Sequence, residues 1–122
     1  MRVLVSGSRH WHDWVVVHRE LYRILEETDP RDLTIVHGAC PTGADLHADK
    51  WASGMSFMGV KTEIYPAAWE QYGRAAGPIR NQRMVDTGLD RALVFIRDES
   101  KGASGAAKKA IAAGVPTSII RG

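Results

Sequence analysis

Met1-Arg2-Val3-Leu4-Val5-Ser6-Gly7-Ser8-Arg9 begins with a short apolar run and breaks at a glycine set between two serines. A run rich in β-branched residues reads as a buried strand, and the small-residue turn behind it reads as the hand-over to a helix. The same pattern recurs further along. Leu33-Thr34-Ile35-Val36 leads into His37-Gly38-Ala39-Cys40-Pro41-Thr42-Gly43-Ala44-Asp45, and Ala92-Leu93-Val94-Phe95-Ile96 leads, past Arg97, into Asp98-Glu99-Ser100-Lys101-Gly102-Ala103-Ser104-Gly105. Thr62-Glu63-Ile64-Tyr65 and Thr117-Ser118-Ile119-Ile120 complete five candidate strands.

Helical spacing fills the intervals. Trp14, Val17, Leu21, Ile24 and Leu25 follow an i, i+3, i+4, i+7 pattern behind Asp13, a suitable N-cap. A second helix is expected over residues 43–53, stopping at Gly54 in a left-handed cap. A third should begin near Pro78 and end near Gly88, and a fourth should span residues 105–113 and end at Gly114. Most of the strand runs are almost continuously apolar, as strands covered by helices on both faces must be. The expectation is one α/β domain over residues 1–122, a doubly wound, Rossmann-like parallel sheet with helices on both faces. Residues 66–77 form the longest stretch without a regular pattern, and they are rich in aromatic side chains.

Composition limits the function classes. With 122 residues and 44% apolar content, a core needs neither disulfides nor a structural metal. Sixteen Lys and Arg against fourteen Asp and Glu give a formal charge of +2 with the signs interspersed, which disfavours a nucleic-acid partner. Nothing resembles a targeting segment or a membrane span, and the single cysteine, Cys40, has no partner for a disulfide or zinc site. A cytoplasmic protein is expected.

In an open α/β sheet the ligand site lies beyond the carboxyl ends of the strands, where the strand order reverses. The three glycine-bearing turns should meet there. Gly7, Gly38, Gly43, Gly102 and Gly105 would let the backbone approach an anion, and Ser8, Thr42 and Ser104 would add hydroxyl donors. Arg9 and Lys101 would add full charge. Each turn alone is better explained by tight strand-to-helix geometry; their convergence on one edge reverses that preference in favour of a phosphate. The Walker lysine motif and GxGxxG are both missing, which disfavours a P-loop NTPase or a dinucleotide dehydrogenase. In Ala75-Ala76-Gly77-Pro78-Ile79-Arg80-Asn81-Gln82-Arg83-Met84 the Gly-Pro pair starts a helix and places Arg80 and Asn81 in its first turn. The helix dipole disfavours a cation there, so Arg80 should meet an anion, and a bound ligand and a carboxylate of the protein surface are equally open as that anion. Arg83 reads as solvated and Met84 as core.

These residues carry a resemblance. Val5-Ser6-Gly7-Ser8-Arg9, Val36-His37-Gly38-Ala39, Gly43-Ala44-Asp45, Pro66-Ala67-Ala68-Trp69, Tyr72-Gly73, Ala76-Gly77-Pro78-Ile79-Arg80-Asn81 and the Gly102 to Gly105 piece together resemble the YspA-related branch of the SLOG superfamily. That group also holds the LOG-type nucleotide phosphoribohydrolases and the DprA DNA-processing domain. The resemblance implies strand order 3-2-1-4-5, a nucleotide-type ligand such as an ADP-ribose-like molecule, no metal, no cofactor and self-association. It also implies a role for Arg80 in stabilising charge around a reacting sugar, because Arg80-Asn81-Gln82-Arg83-Met84 matches the LOG Arg-Lys-x-x-Met segment with asparagine for lysine. The LOG glutamate has no counterpart, since Lys109 stands in its place. Glycosidic cleavage passes through an oxocarbenium-like state that needs a carboxylate, so the resemblance points to binding or sensing first. A nucleotide N-glycosidase with a relocated carboxylate (Asp45, Asp98 or Glu99) comes second, and DprA-like binding of single-stranded DNA third.

The remaining candidates each have two readings. His37 would touch a base or ribose, or be a satisfied structural histidine. Asp45 would bond a ribose hydroxyl, or steady the first turn of its own helix. Trp69 and Tyr72 are candidates for base stacking and Trp11 is a further one, whereas Trp14 and Trp51 read as core. His10, His12 and Asp13 lack further ligands at metal spacing. Lys108 and Lys109 read as solvated helix surface.

Overall fold

The computed structural model describes residues 1–122. Strands β1 (Arg2–Gly7), β2 (Thr34–His37), β3 (Lys61–Ile64), β4 (Arg91–Ile96) and β5 (Thr117–Arg121) form one sheet in the order β3-β2-β1-β4-β5. Every neighbouring pair is parallel, as the apolar runs predicted. The helices are α1 (Trp14–Leu25), α2 (Gly43–Gly54), α3 (Trp69–Tyr72), α4 (Ala76–Asp86) and α5 (Lys101–Ala112).

Alternation along the strands divides the core in two. Val3, Val5, Leu93 and Phe95 face one way and pack under Val17, Leu21 and Ile24 of α1 and Ala44, Ala48 and Trp51 of α2. Leu4, Val36 and Ala92 face the other way, against Met84 and Val85 of α4 and Ala110 of α5. Val94 and Ile96 meet Ala103 and Ala107. The alanine stripe of α5 lets that helix lie close to the sheet, which sets its first turn against the end of β4.

Several boundaries and roles differ from expectation. Ser100 caps α5 by accepting from the Ala103 N–H, so the helix starts at Lys101, four residues earlier than expected, and Gly102, Ser104 and Gly105 are helical rather than loop. Gly54 lies inside α2; the chain leaves through a 3-10 turn (Ser56–Met58) to Gly59, whose φ of 104° is the left-handed one. The segment 66–77 is not irregular throughout: it holds α3, a 3-10 turn (Gly73–Ala75) and the start of α4.

Two tryptophans exchange roles. Trp11 is 3% exposed, because its ring closes over Phe95 at a centroid distance of 5.4 Å while its indole N–H donates to the Asp13 carbonyl. Trp14 is 54% exposed; as the first residue of α1 it lies one turn beyond Val17, where the helix first reaches the core. The Asp13 cap is observed, with its carboxylate accepting from Val16 N–H at 3.3 Å. Phe95 has no exposed surface and carries the indole of Trp11, so Phe95→Ala should lower the free energy of unfolding by about 3–5 kcal/mol in urea denaturation.

Candidate functional site

The strand order reverses between β1 and β4, and the turns behind these strands are stitched together by Ser8. Its N–H donates to the Phe95 carbonyl at 2.9 Å, its hydroxyl donates to the Arg97 carbonyl at 3.1 Å, and the same oxygen accepts from Arg97 N–H at 2.9 Å. Ser8 is therefore buried and fully engaged. Gly43 packs on this turn from α2, with φ of 72° and a position where a Cβ would fall 2.2 Å from the Ser8 carbonyl oxygen. Only glycine satisfies both constraints.

The turn behind β2 is held from within. Asp45, on the first turn of α2, reaches back so that one carboxylate oxygen accepts from Gly38 N–H at 3.1 Å and from Cys40 N–H at 3.2 Å. The intervening Ala39 N–H donates to Nδ1 of His37 at 3.0 Å, which leaves the ring proton on Nε2, 2.9 Å from an Asp49 oxygen. Ala39 adopts a left-handed φ of 59°, a costly conformation for a residue with a Cβ. His37 is thus the satisfied structural histidine. The amides at residues 38–40 do not converge on an external anion, contrary to expectation, because Asp45 and His37 already occupy them. Burial pushes the Asp45 carboxyl above its usual 3.8, with the Cys40 amide, the nearby His37 ring and Arg80 guanidinium, and the Gly38 amide pulling it back.

Arg80 lies in the second turn of α4 rather than the first, since the helix begins at Ala76, so the dipole argument for an anion does not apply at its position. Its guanidinium is instead held by oxygens of the protein. Nη1 donates to the Gly38 carbonyl at 2.6 Å and, more weakly, to the Tyr65 carbonyl at 3.4 Å, while Nε donates to Oδ1 of Asn81 at 2.8 Å. Asn81 is buried, and its amide nitrogen makes a long 3.5 Å contact with the Gly102 carbonyl. A Cβ on Gly38 would sit 2.3 Å from Nη1, so glycine there is what admits the guanidinium. The Nη2 group carries no protein hydrogen bond and remains a double donor.

These turns enclose a cleft of about 1090 Å³. Gly7 and Arg9 line it from the first turn, Gly38 and Asp45 from the second, Trp69 from α3, Arg80 and Asn81 from α4, and Lys101, Gly102 and Gly105 from α5. Ser8, His37, Gly43 and Ser104, grouped with them from the sequence, do not reach it. The first three shape the turns from behind, and Ser104 projects from another face of α5.

The sequence profile of the YAcAr family, described as "YspA, cpYpsA-related SLOG family", matches residues 1–72. The chain is also 40% identical over 121 residues to the Gene 61 protein of Mycobacterium phage D29, an alignment covering 94% of this chain and 92% of that protein. This chain belongs to the YspA, cpYpsA-related SLOG family. No solved structure matches it significantly.

The cleft of this SLOG chain is electropositive. Arg9, Arg74, Arg80, Arg97, Lys101 and Lys109 line it, against the carboxylates Asp45, Asp98 and Glu99. Asp45 is spent on backbone amides. Arg74, Arg97 and Lys109 were not foreseen. For Lys109 a signal existed: Gly102, Gly105 and Lys109 fall at i, i+3, i+7 and form one face of α5, with no atom within 4 Å of where a Cβ on either glycine would stand. The lysine at the end of that bare stripe lines the cleft rather than standing on solvated surface. The amides of Lys101 and Gly102 have no carbonyl four residues earlier within the helix, so they add partial positive charge at the same wall.

Three outcomes are expected. Gly105 sits mid-helix beneath open space, so Gly105→Ala should raise stability by about 0.5–1 kcal/mol in thermal or chemical denaturation, the helix gaining propensity without a clash. Asp45→Ala should cost about 1–3 kcal/mol, because two amide donors lose their acceptor. The Asp45 pKa is raised in the fold, so its favourable contribution is complete below the unfolded value and fades as pH rises through the folded one. Stability profiles of the wild type and Asp45→Asn should accordingly diverge above about pH 4, in favour of the amide.

Proposed function

We propose that the cleft binds a phosphate-bearing nucleotide or nucleotide derivative, of the ADP-ribose-like class, and does not cleave it. The observation that carries this reading is the charge of the cleft: six cationic residues and the first turn of α5 line one concave space, while one of its three carboxylates is locked to the backbone. Phosphate oxygens are the natural counterpart of such a wall, and Nη2 of Arg80, which makes no hydrogen bond within the protein, is one donor open to them. Family membership agrees with nucleotide-related binding. Lys109 lines the cleft in the sequence position that a glutamate fills in LOG-type hydrolases, and a charged lysine cannot steady an oxocarbenium ion or activate water. The reading takes the protein to act in the cytoplasm, without a metal.

Asp98 and Glu99 favour a second reading, a nucleotide N-glycosidase with a relocated carboxylate. Both line the cleft, and Asp98 is held at a left-handed φ of 56°, the kind of local strain that gathers at functional sites. Incubation of the purified chain with nucleoside monophosphates and dinucleotides separates the two: binding alone leaves no free base, and base release would decide for the hydrolase. Mass spectrometry of small molecules retained through purification identifies the natural ligand. Arg80→Gln should weaken binding of that compound roughly tenfold or more while the protein remains folded, as measured by calorimetry and thermal unfolding.

A further inference from the structure

The cleft has one feature that phosphate chemistry does not use. Arg9, from the turn behind β1, lies with its guanidinium carbon 5.9 Å from the ring centroid of Trp69 on α3, on the opposite wall. Arg9 has no ion-pair partner, although Asp98 and Glu99 line the same cleft. Trp69 is 49% exposed, and its ring borders the cleft rather than the core. The edge of the indole lies over Gly77, where an added Cβ would stand 3.4 Å from it. A half-exposed aromatic face therefore looks at a long, flexible, planar cation in the cleft.

From this geometry we infer that Trp69 and Arg9 form a two-sided clamp for the heterocyclic base of the ligand, the base lying flat between indole and guanidinium. Arg9 is then a base-stacking residue rather than the phosphate ligand that its sequence position suggests. A flat ring between two flat groups needs about 7 Å, two layers of roughly 3.5 Å each. The observed 5.9 Å is too short to hold a base and too long for guanidinium and indole to be stacked in contact. A small rotation of the Arg9 side chain supplies the difference. Stacking of this kind accepts any planar base while rejecting a bare sugar phosphate, so the clamp selects for the base and Arg80 and α5 select for the phosphate. This assignment rests on the nucleotide reading of the same cleft.

The test is calorimetric titration of the full chain with the four nucleoside 5′-monophosphates, ADP-ribose, ribose 5-phosphate and inorganic pyrophosphate, in the wild type, Trp69→Leu, Trp69→Phe and Arg9→Gln. The clamp requires at least one nucleoside monophosphate to bind the wild type roughly ten- to hundredfold more tightly than ribose 5-phosphate, with quenching of tryptophan fluorescence. Trp69→Leu should remove that advantage while leaving ribose 5-phosphate binding unchanged, Trp69→Phe should keep most of it, and Arg9→Gln should reduce it in part. Equal affinity of the wild type for nucleotide and sugar phosphate, or equal weakening of both by Trp69→Leu, overturns the clamp and leaves the anion site standing. Failure of every phosphate compound, pyrophosphate included, to bind the wild type overturns the nucleotide reading and the clamp with it.

Discussion

The carboxylate of Asp45 reaches back from α2 to two amides behind β2, and much of the site depends on that reach. A turn with a left-handed alanine and three inward-facing N–H groups would be costly if those donors were unpaired. Asp45 satisfies two of them and His37 the third, and His37 is in turn steadied by Asp49 one turn further along α2. With its amides facing inward, the turn presents the Gly38 carbonyl outward, and that oxygen holds Arg80. A buried acid thus helps to orient a half-buried cation through the backbone of the turn.

The consequence is a division of labour unlike a simple phosphate loop. The amides of residues 38–40 are engaged within the turn behind β2, which positions a guanidinium through the Gly38 carbonyl. Arg80, Asn81 and Gly102 form a continuous link from β2 through α4 to the start of α5, so the best-aligned donors of the cleft belong to one connected network. The turn behind β1 is similarly occupied, since Ser8 is consumed in joining β1 to β4, and Arg9 is left as its free end. Positive charge in the cleft comes mainly from side chains and from α5, in contrast to nucleotide sites built from loop amides.

Much of this was legible from the chain alone. Five β-branched runs, the Asp13 cap and the glycine turns led to the sheet and, with the family resemblance, to its order. Arg80 and Asn81, which stand out in the sequence, both line the cleft. The start of α5 was misread because glycine and serine at residues 102–105 look like loop, whereas the alanine stripe through 103, 106, 107 and 110 packs on β4 and extends the helix through them. Trp11 and Trp14 were exchanged because helical periodicity does not reveal where a helix first meets the sheet.

What the sequence determined by itself was the alternation of strand and helix, and hence the edge of the sheet at which chemistry gathers, because burial on both faces leaves a pattern in residue order. Only the tertiary structure decided which polar groups in those turns are free. Hydrogen bonds between residues far apart in the chain, such as Ser8 with Arg97 and Gly38 with Arg80, use up donors that look available in sequence. No periodicity records them, since each depends on the close approach of turns that the core holds together.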